Sequence, residues 1–251
     1  MIFMGSYYTR TGLYKEAMES FEKGIALARE KKLRGIVPRA YRGMANVFDA
    51  VGDLPKYREN LSMVAEISFA EKDTAIAEEA FLMLGTSLTD KNRNFRQADS
   101  VLRLCLDLSL VKKDTFYTAY SSANIGWNFY AEKMYDSSLF YYKQSLRYCM
   151  PIRQYSIAAN SLGNLGTIYR DLNDTETSIK YYEESIAYAT KVNDWYSLSW
   201  VYNDMHQLYL KLNDTASAFT SYVRFKQFND SVLIKKNTQG LADARIRYEA
   251  D

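Results

Sequence analysis

The chain repeats itself about every forty residues. Small residues stand at Gly5, Ala45, Gly85, Gly126 and Gly166, with His206 in the next slot, at steps of 40, 40, 41, 40 and 40. Three positions later comes an aromatic or large apolar residue: Tyr8, Phe48, Leu88, Phe129, Tyr169 and Tyr209. A third column, Phe21, Leu61, Leu102, Tyr142, Tyr182 and Tyr222, keeps the same period. Three columns in register over six rows define a repeat array. A unit this short cannot bury its apolar face alone, so stacking on its neighbours must do so.

Within a row the apolar spacing is helical. Leu165, Ile168, Tyr169 and Leu172 recur at intervals of three and four, as do Ile179, Tyr182, Ile186 and Ala189. Each row therefore holds two amphipathic helices. The tetrapeptide Leu-Asn-Asp-Thr, at 172–175 and again at 212–215, marks the turn between them. Asn173 and Asn213 occupy the slot that Gly12 and Gly52 fill in the first two rows. Both residue types tolerate the left-handed backbone that ends a helix. The Asp-Thr that follows offers oxygens to the free amides of the next helix. Asn-Asp-Thr is also a glycosylation sequon, but capping already accounts for it. Row four places Lys133 in the stop slot, which this logic does not explain. Row three carries its extra residue around Asn92–Asn94, where a looser turn is expected.

Stacked helix pairs of this kind resemble tetratricopeptide repeats. Gly12–Ala28 (GLYKEAMESFEKGIALA) and Met134–Leu146 (MYDSSLFYYKQSL) look like the family's second helix. Leu165–Tyr169 (LGTIY) and Ile125–Phe129 (IGWNF) look like its first helix. The family period is about 34 residues, so this chain needs longer helices or longer links. The resemblance implies an all-α fold: a right-handed α-solenoid of about six helix-turn-helix repeats over residues 1–230, with a capping or linker helix at 231–251. Phe225–Asp251 also resembles the exit segment of tetratricopeptide sensor regions in membrane-anchored bacterial regulators. Ile234, Leu241 and Tyr248 recur there every seven residues with Ala244 between, too short a run to define a coiled coil. A homodimer through this helix is a further expectation.

Composition narrows the function. Net charge is +2, from 32 basic and 30 acidic residues, without the clustered basic stripe of a duplex-binding domain, so this segment is not expected to bind nucleic acid directly. No apolar stretch suits a signal peptide or a membrane span, and no membrane contact is expected. Cys105 and Cys149 belong to no metal-type or redox cluster and read as buried apolar side chains. No Gly-rich phosphate loop, Gly-x-Ser-x-Gly or zinc spacing occurs. His206, the sole histidine, has no cluster of partners in sequence and reads as a mark of a last hairpin that packs differently. The expectation is a non-catalytic chain without a cofactor or metal. The 22 tyrosines read mainly as packing residues.

In the resembled family, first helices line a concave groove. Carried over by position, row two presents Arg39, Arg42, Asn46 and Asp49 there, and row three Leu82 and Thr86. Row four presents Tyr120, Asn124, Trp127 and Tyr130. Row five adds Asn160, Asn164, Thr167 and Arg170, and row six Trp200, Asn203, Asp204 and Gln207. Lysine is absent, while amides, rings and Arg dominate, the residues that pair with peptide backbone and supply rigid contact area. Arg39 and Arg42, one helical turn apart, suit a carboxylate. The family's Lys-and-Asn carboxylate clamp is not matched. The reading is a protein- or peptide-binding scaffold, the sensing region of a bacterial signalling and transcriptional regulator. That context implies the periplasm. A stand-alone adaptor, which would be cytoplasmic, a peptide-pheromone receptor and a homo-oligomerisation module stay open as alternatives.

Overall fold

The forty-residue period resolves into two 17-residue helices and two three-residue turns, as α9 (Tyr155–Asp171) and α10 (Thr175–Lys191) illustrate. The extra length over the family period thus sits in the helices. The computed structural model describes residues 1–90 and 94–250, with side chains for all of these except Asp90 and 236–250. Twelve helices and no strand occur among the described residues. Rows one to three contribute α1 (Ile2–Thr11), α2 (Tyr14–Glu30), α3 (Ile36–Val51), α4 (Leu54–Ala70), α5 (Thr74–Asp90) and α6 (Phe95–Lys112). Rows four to six contribute α7 (Thr115–Ala131), α8 (Tyr135–Cys149), α9, α10, α11 (Trp195–Lys211) and α12 (Thr215–Ala250).

The stop-and-start reading of the turns holds. Asn173 and Asn213 are left-handed, at φ 62° and 58°, and Asp174 accepts from the Thr177 amide at 3.2 Å. Lys133 takes the same conformation, at φ 60°. Its turn is closed by two backbone bonds, from the Lys133 amide to the Tyr130 carbonyl and from the Met134 amide to the Phe129 carbonyl, at 2.9 and 2.8 Å. Those bonds satisfy the last carbonyls of α7 and hold a residue without glycine's freedom in place. Lys32, Lys72, Lys113, Arg153 and Asn193 adopt positive φ in the turns between hairpins. The looser turn expected around Asn92–Asn94 lies outside the described residues except for Asn94, whose Oδ1 accepts from the Gln97 amide at 3.4 Å.

The chain forms two compact units, one built on Met1–Leu108 and the other on Ser109–Asn237. In the first unit the ring of Phe21 packs against two glycines. A Cβ on Gly5 would lie 2.6 Å from that ring, and one on Gly43 only 2.2 Å. Leu61 and Leu102 repeat the theme and are fully buried. In the second unit Tyr142 and Tyr182 are fully buried, their rings against Gly126 and Gly166. Tyr222 departs from the expected filling role, being 43% exposed. Tyr142 is covered by Leu165 and Ile168 of α9 and Tyr182 by Val201 and Met205 of α11, and the hairpin of Tyr222 is itself different. Elsewhere Ser138 and Ser178 donate to the Gly126 and Gly166 carbonyls at 2.7 and 2.8 Å. Row six has Ala218 in the serine column, and the bond reverses: His206 Nδ1 meets the Ala218 carbonyl at 2.9 Å, with the imidazole 5.2 Å from the Tyr222 ring.

Within the second unit the first helices touch in succession, α7 on α9 and α9 on α11, whereas α8 and α10 make at most marginal contact. Helix α12 runs unbroken from Thr215 to Ala250, so the expected boundary at 230/231 falls inside it. The side chains of Leu241, Ala244 and Tyr248 lie outside the described residues. No described helix is long and apolar enough to cross a membrane.

Candidate functional site

In the first unit, α3 carries Arg39, Arg42 and Asn46. Arg39 and Asn46 are exposed. Arg42 is already paired, its guanidinium 2.6 Å from Glu79 of α5, so the Arg39–Arg42 pair is not a free clamp.

The second unit carries twelve of the anticipated residues on three successive first helices. Helix α7 supplies Tyr120, Asn124, Trp127 and Tyr130, α9 supplies Asn160, Asn164, Thr167 and Arg170, and α11 supplies Trp200, Asn203, Asp204 and Gln207. Tyr120 and Trp127 are 41% and 42% exposed. The Trp127 ring leans on Tyr130, with centroids 5.5 Å apart. Two amides are turned toward their own helices. Asn124 donates Nδ2 to the Tyr120 carbonyl at 2.9 Å, and Asn164 donates to the Asn160 carbonyl at 2.8 Å. Asn164 is buried, Asn160 and Asn203 are half-buried, and Gln207 is exposed.

Arg170 and Tyr130 serve a network that sequence reasoning did not assemble. Arg170 meets Asp171 at 3.0 Å and Asp204 of α11 at 2.8 Å. The same Asp204 carboxylate oxygen accepts from the hydroxyls of Thr167 and Tyr182, at 3.0 and 3.2 Å. Tyr130 of α7 donates to Asp171 at 2.9 Å. Rows four, five and six are thereby linked through their first helices. Burial first, and then Asp204, pushes the Tyr182 hydroxyl above its ordinary range. Burial and the Asp171 hydrogen bond do the same for Tyr130. Both remain protonated donors. No signal within one row could have revealed its links between rows, because those partners sit 22 to 41 positions apart.

One other assignment shifts: a Cβ on Gly163 would lie 2.3 Å from the Trp200 ring. Trp200 thus packs over α9 rather than standing free on the face. The cysteines are buried as expected, and burial pushes the Cys149 thiol up to about 11. No group of His, Cys, Asp and Glu suited to a metal occurs among the described residues.

Residues 157–224 and 1–31 match tetratricopeptide repeat family profiles. Both segments therefore carry tetratricopeptide repeats, in keeping with the paired, stacked helices around them. Among curated proteins no sequence matches the chain. Among solved structures, BtubC (BKLC) from P. vanneervenii superposes with a TM-score of 0.70 over 86% of this chain and 90% of its own, at 17% identity. Aspartyl phosphate phosphatase F from Bacillus subtilis gives 0.68 over 91% and 69%, at 14% identity. A Rap protein complexed with competence and sporulation factor gives 0.60 over 91% and 73%, at 13% identity. At such identities the likeness is one of fold, a tetratricopeptide-type α-solenoid.

Proposed function

We propose that the chain is a non-catalytic protein- or peptide-binding scaffold, and that the inner face of α7, α9 and α11 holds an extended peptide segment. One observation carries this reading. Trp127 and Tyr120 leave two-fifths of their surface in solvent, beside amide side chains, on first helices that touch in succession. Exposed rings flanked by amides suit a peptide: the rings bury area at little entropic cost, and the amides match backbone groups. Two structures of similar fold are complexes, a Rap protein with competence and sporulation factor and the Rap conjugation gene regulator of the plasmid pLS20 with the Phr* peptide. The finer role is that of a sensing region, supported by the resemblance of Phe225–Asp251 to the exit segment of sensor-type regulators. A bound peptide bridging α7, α9 and α11 would favour one curvature of the stack and bias α12.

The test is a selection of random dodecapeptides displayed on phage against the full chain, followed by calorimetry with the selected peptides. Trp127→Ala and Asn164→Ala are expected to weaken binding by about tenfold or more each, with helicity retained. Unchanged affinity in both variants would refute the assignment. A second reading, self-association, is favoured by Phe219, 69% exposed on α12. Sedimentation velocity across a concentration series separates the two.

A further inference from the structure

Rows four and five hold the same buried tyrosine in two different settings. Tyr182 lies on Gly166, and its hydroxyl is bonded to Thr167 and Asp204. Tyr142 lies on Gly126 in the same way, forty positions earlier, so its hydroxyl emerges at the equivalent place. The residues in the Thr167 and Asp204 columns are here Trp127 and Asn164. An indole has no acceptor to offer, and Asn164 directs its amide nitrogen to Asn160. The Tyr142 hydroxyl is fully buried and has no hydrogen-bond partner among the described residues. A buried donor in this condition is costly, and by register with Tyr182 its neighbours are the two residues on which the peptide-binding reading depends.

We infer that the Tyr142 hydroxyl is a hydrogen-bond donor of the peptide-binding face, reached past the exposed ring of Trp127, and that it takes a neutral amide carbonyl of the bound chain. The inference rests on the peptide-binding reading and names the chemistry of its deepest contact. Burial keeps the hydroxyl protonated, and the neighbouring Tyr130 acts in the same direction. The charges beside the site select against an anion. Arg170 is shared between Asp171 and Asp204, which leaves this cluster with one net negative charge. A carboxylate would be repelled there and would lose its hydration, whereas an amide carbonyl carries no such cost. The carbonyl can come from peptide backbone or from an Asn or Gln side chain.

The experiment compares Tyr142→Phe with Tyr182→Phe in the full chain. Removing a hydroxyl that has no partner leaves the thermal midpoint unchanged or raises it. Removing the bonded Tyr182 hydroxyl lowers the midpoint. With selected dodecapeptides, acetylated and amidated at their ends, Tyr142→Phe weakens binding about two- to tenfold. Alanine replacement of each Asn and Gln in the peptide then separates the sources: a matching loss at one position identifies a side-chain carbonyl, and none identifies backbone. A fall in midpoint for Tyr142→Phe as large as for Tyr182→Phe overturns the inference, since the hydroxyl would already be satisfied. Unchanged affinity in Tyr142→Phe beside weakened binding in Trp127→Ala overturns it too, while leaving the peptide-binding face standing. Absence of any selected peptide removes both.

Discussion

Two glycines in one column give the sharpest test of what sets the helix spacing. Alanine at either Gly126 or Gly166 improves helix propensity by about 1 kcal/mol. The added methyl meets different surroundings. At Gly166 it would lie 2.6 Å from the Tyr182 ring, and at Gly126 it would lie 3.2 Å from three atoms of the Tyr142 ring. Tyr182 cannot retreat, because it is fully buried and its hydroxyl is fastened to Thr167 and Asp204. Tyr142 has no such tether among the described residues and needs to yield only a few tenths of an ångström. Overpacking against a fixed ring costs about 1–3 kcal/mol, so Gly166→Ala should be destabilised by up to about 2 kcal/mol net of propensity. Gly126→Ala, which meets a ring that can yield, should be more stable than Gly166→Ala. For unfolding of a stack this size, the Gly166→Ala midpoint should drop by up to about 8 °C. Circular dichroism melts supply that number, and native-state hydrogen exchange localises the loss to α9 and α10. Equal midpoints for the two variants would refute the idea that the ring–backbone contact limits helix approach.

Asp204→Ala strips one acceptor from Arg170, Thr167 and Tyr182 together. Both members of the ion pair are mostly buried, so a loss of about 2–3 kcal/mol is expected in denaturant titrations. A loss below about 0.5 kcal/mol would mean that solvent already satisfies these groups. Alkali should also destabilise the fold. Tyr142, Tyr182 and Tyr130 are held protonated chiefly by burial, and the Cys149 thiol is raised from 9.0 to about 11. The unfolded chain therefore releases these protons first. Their contribution is complete below pH 9, falls through about 11 for Cys149, and falls above pH 10 for the tyrosines. Melting midpoints measured across that range should decline, and Tyr182→Phe should flatten the decline above pH 10. A flat profile in the unsubstituted chain would contradict the burial of these groups.

The period, the helix pairs, the Asn173 and Asn213 turns and the meeting of Gly166 with Tyr182 were all legible in the sequence. Each follows from local periodicity or from a column repeated row after row, and needs no knowledge of the neighbouring row. The candidate residues of rows four to six fall on α7, α9 and α11, the first helices of their rows. What those side chains do there was decided by tertiary structure. Arg42 pairs with Glu79, Arg170 bridges Asp171 and Asp204, and Trp200 rests on Gly163. Lys133 accepts a left-handed turn because backbone bonds close it. Tyr142 and Tyr182 occupy one column, yet only one of their hydroxyls has a partner among the described residues. The difference comes from Asn164 and Asp204 in the row that follows each, and their approach depends on how two hairpins stack, which side-chain spacing within a single hairpin does not encode.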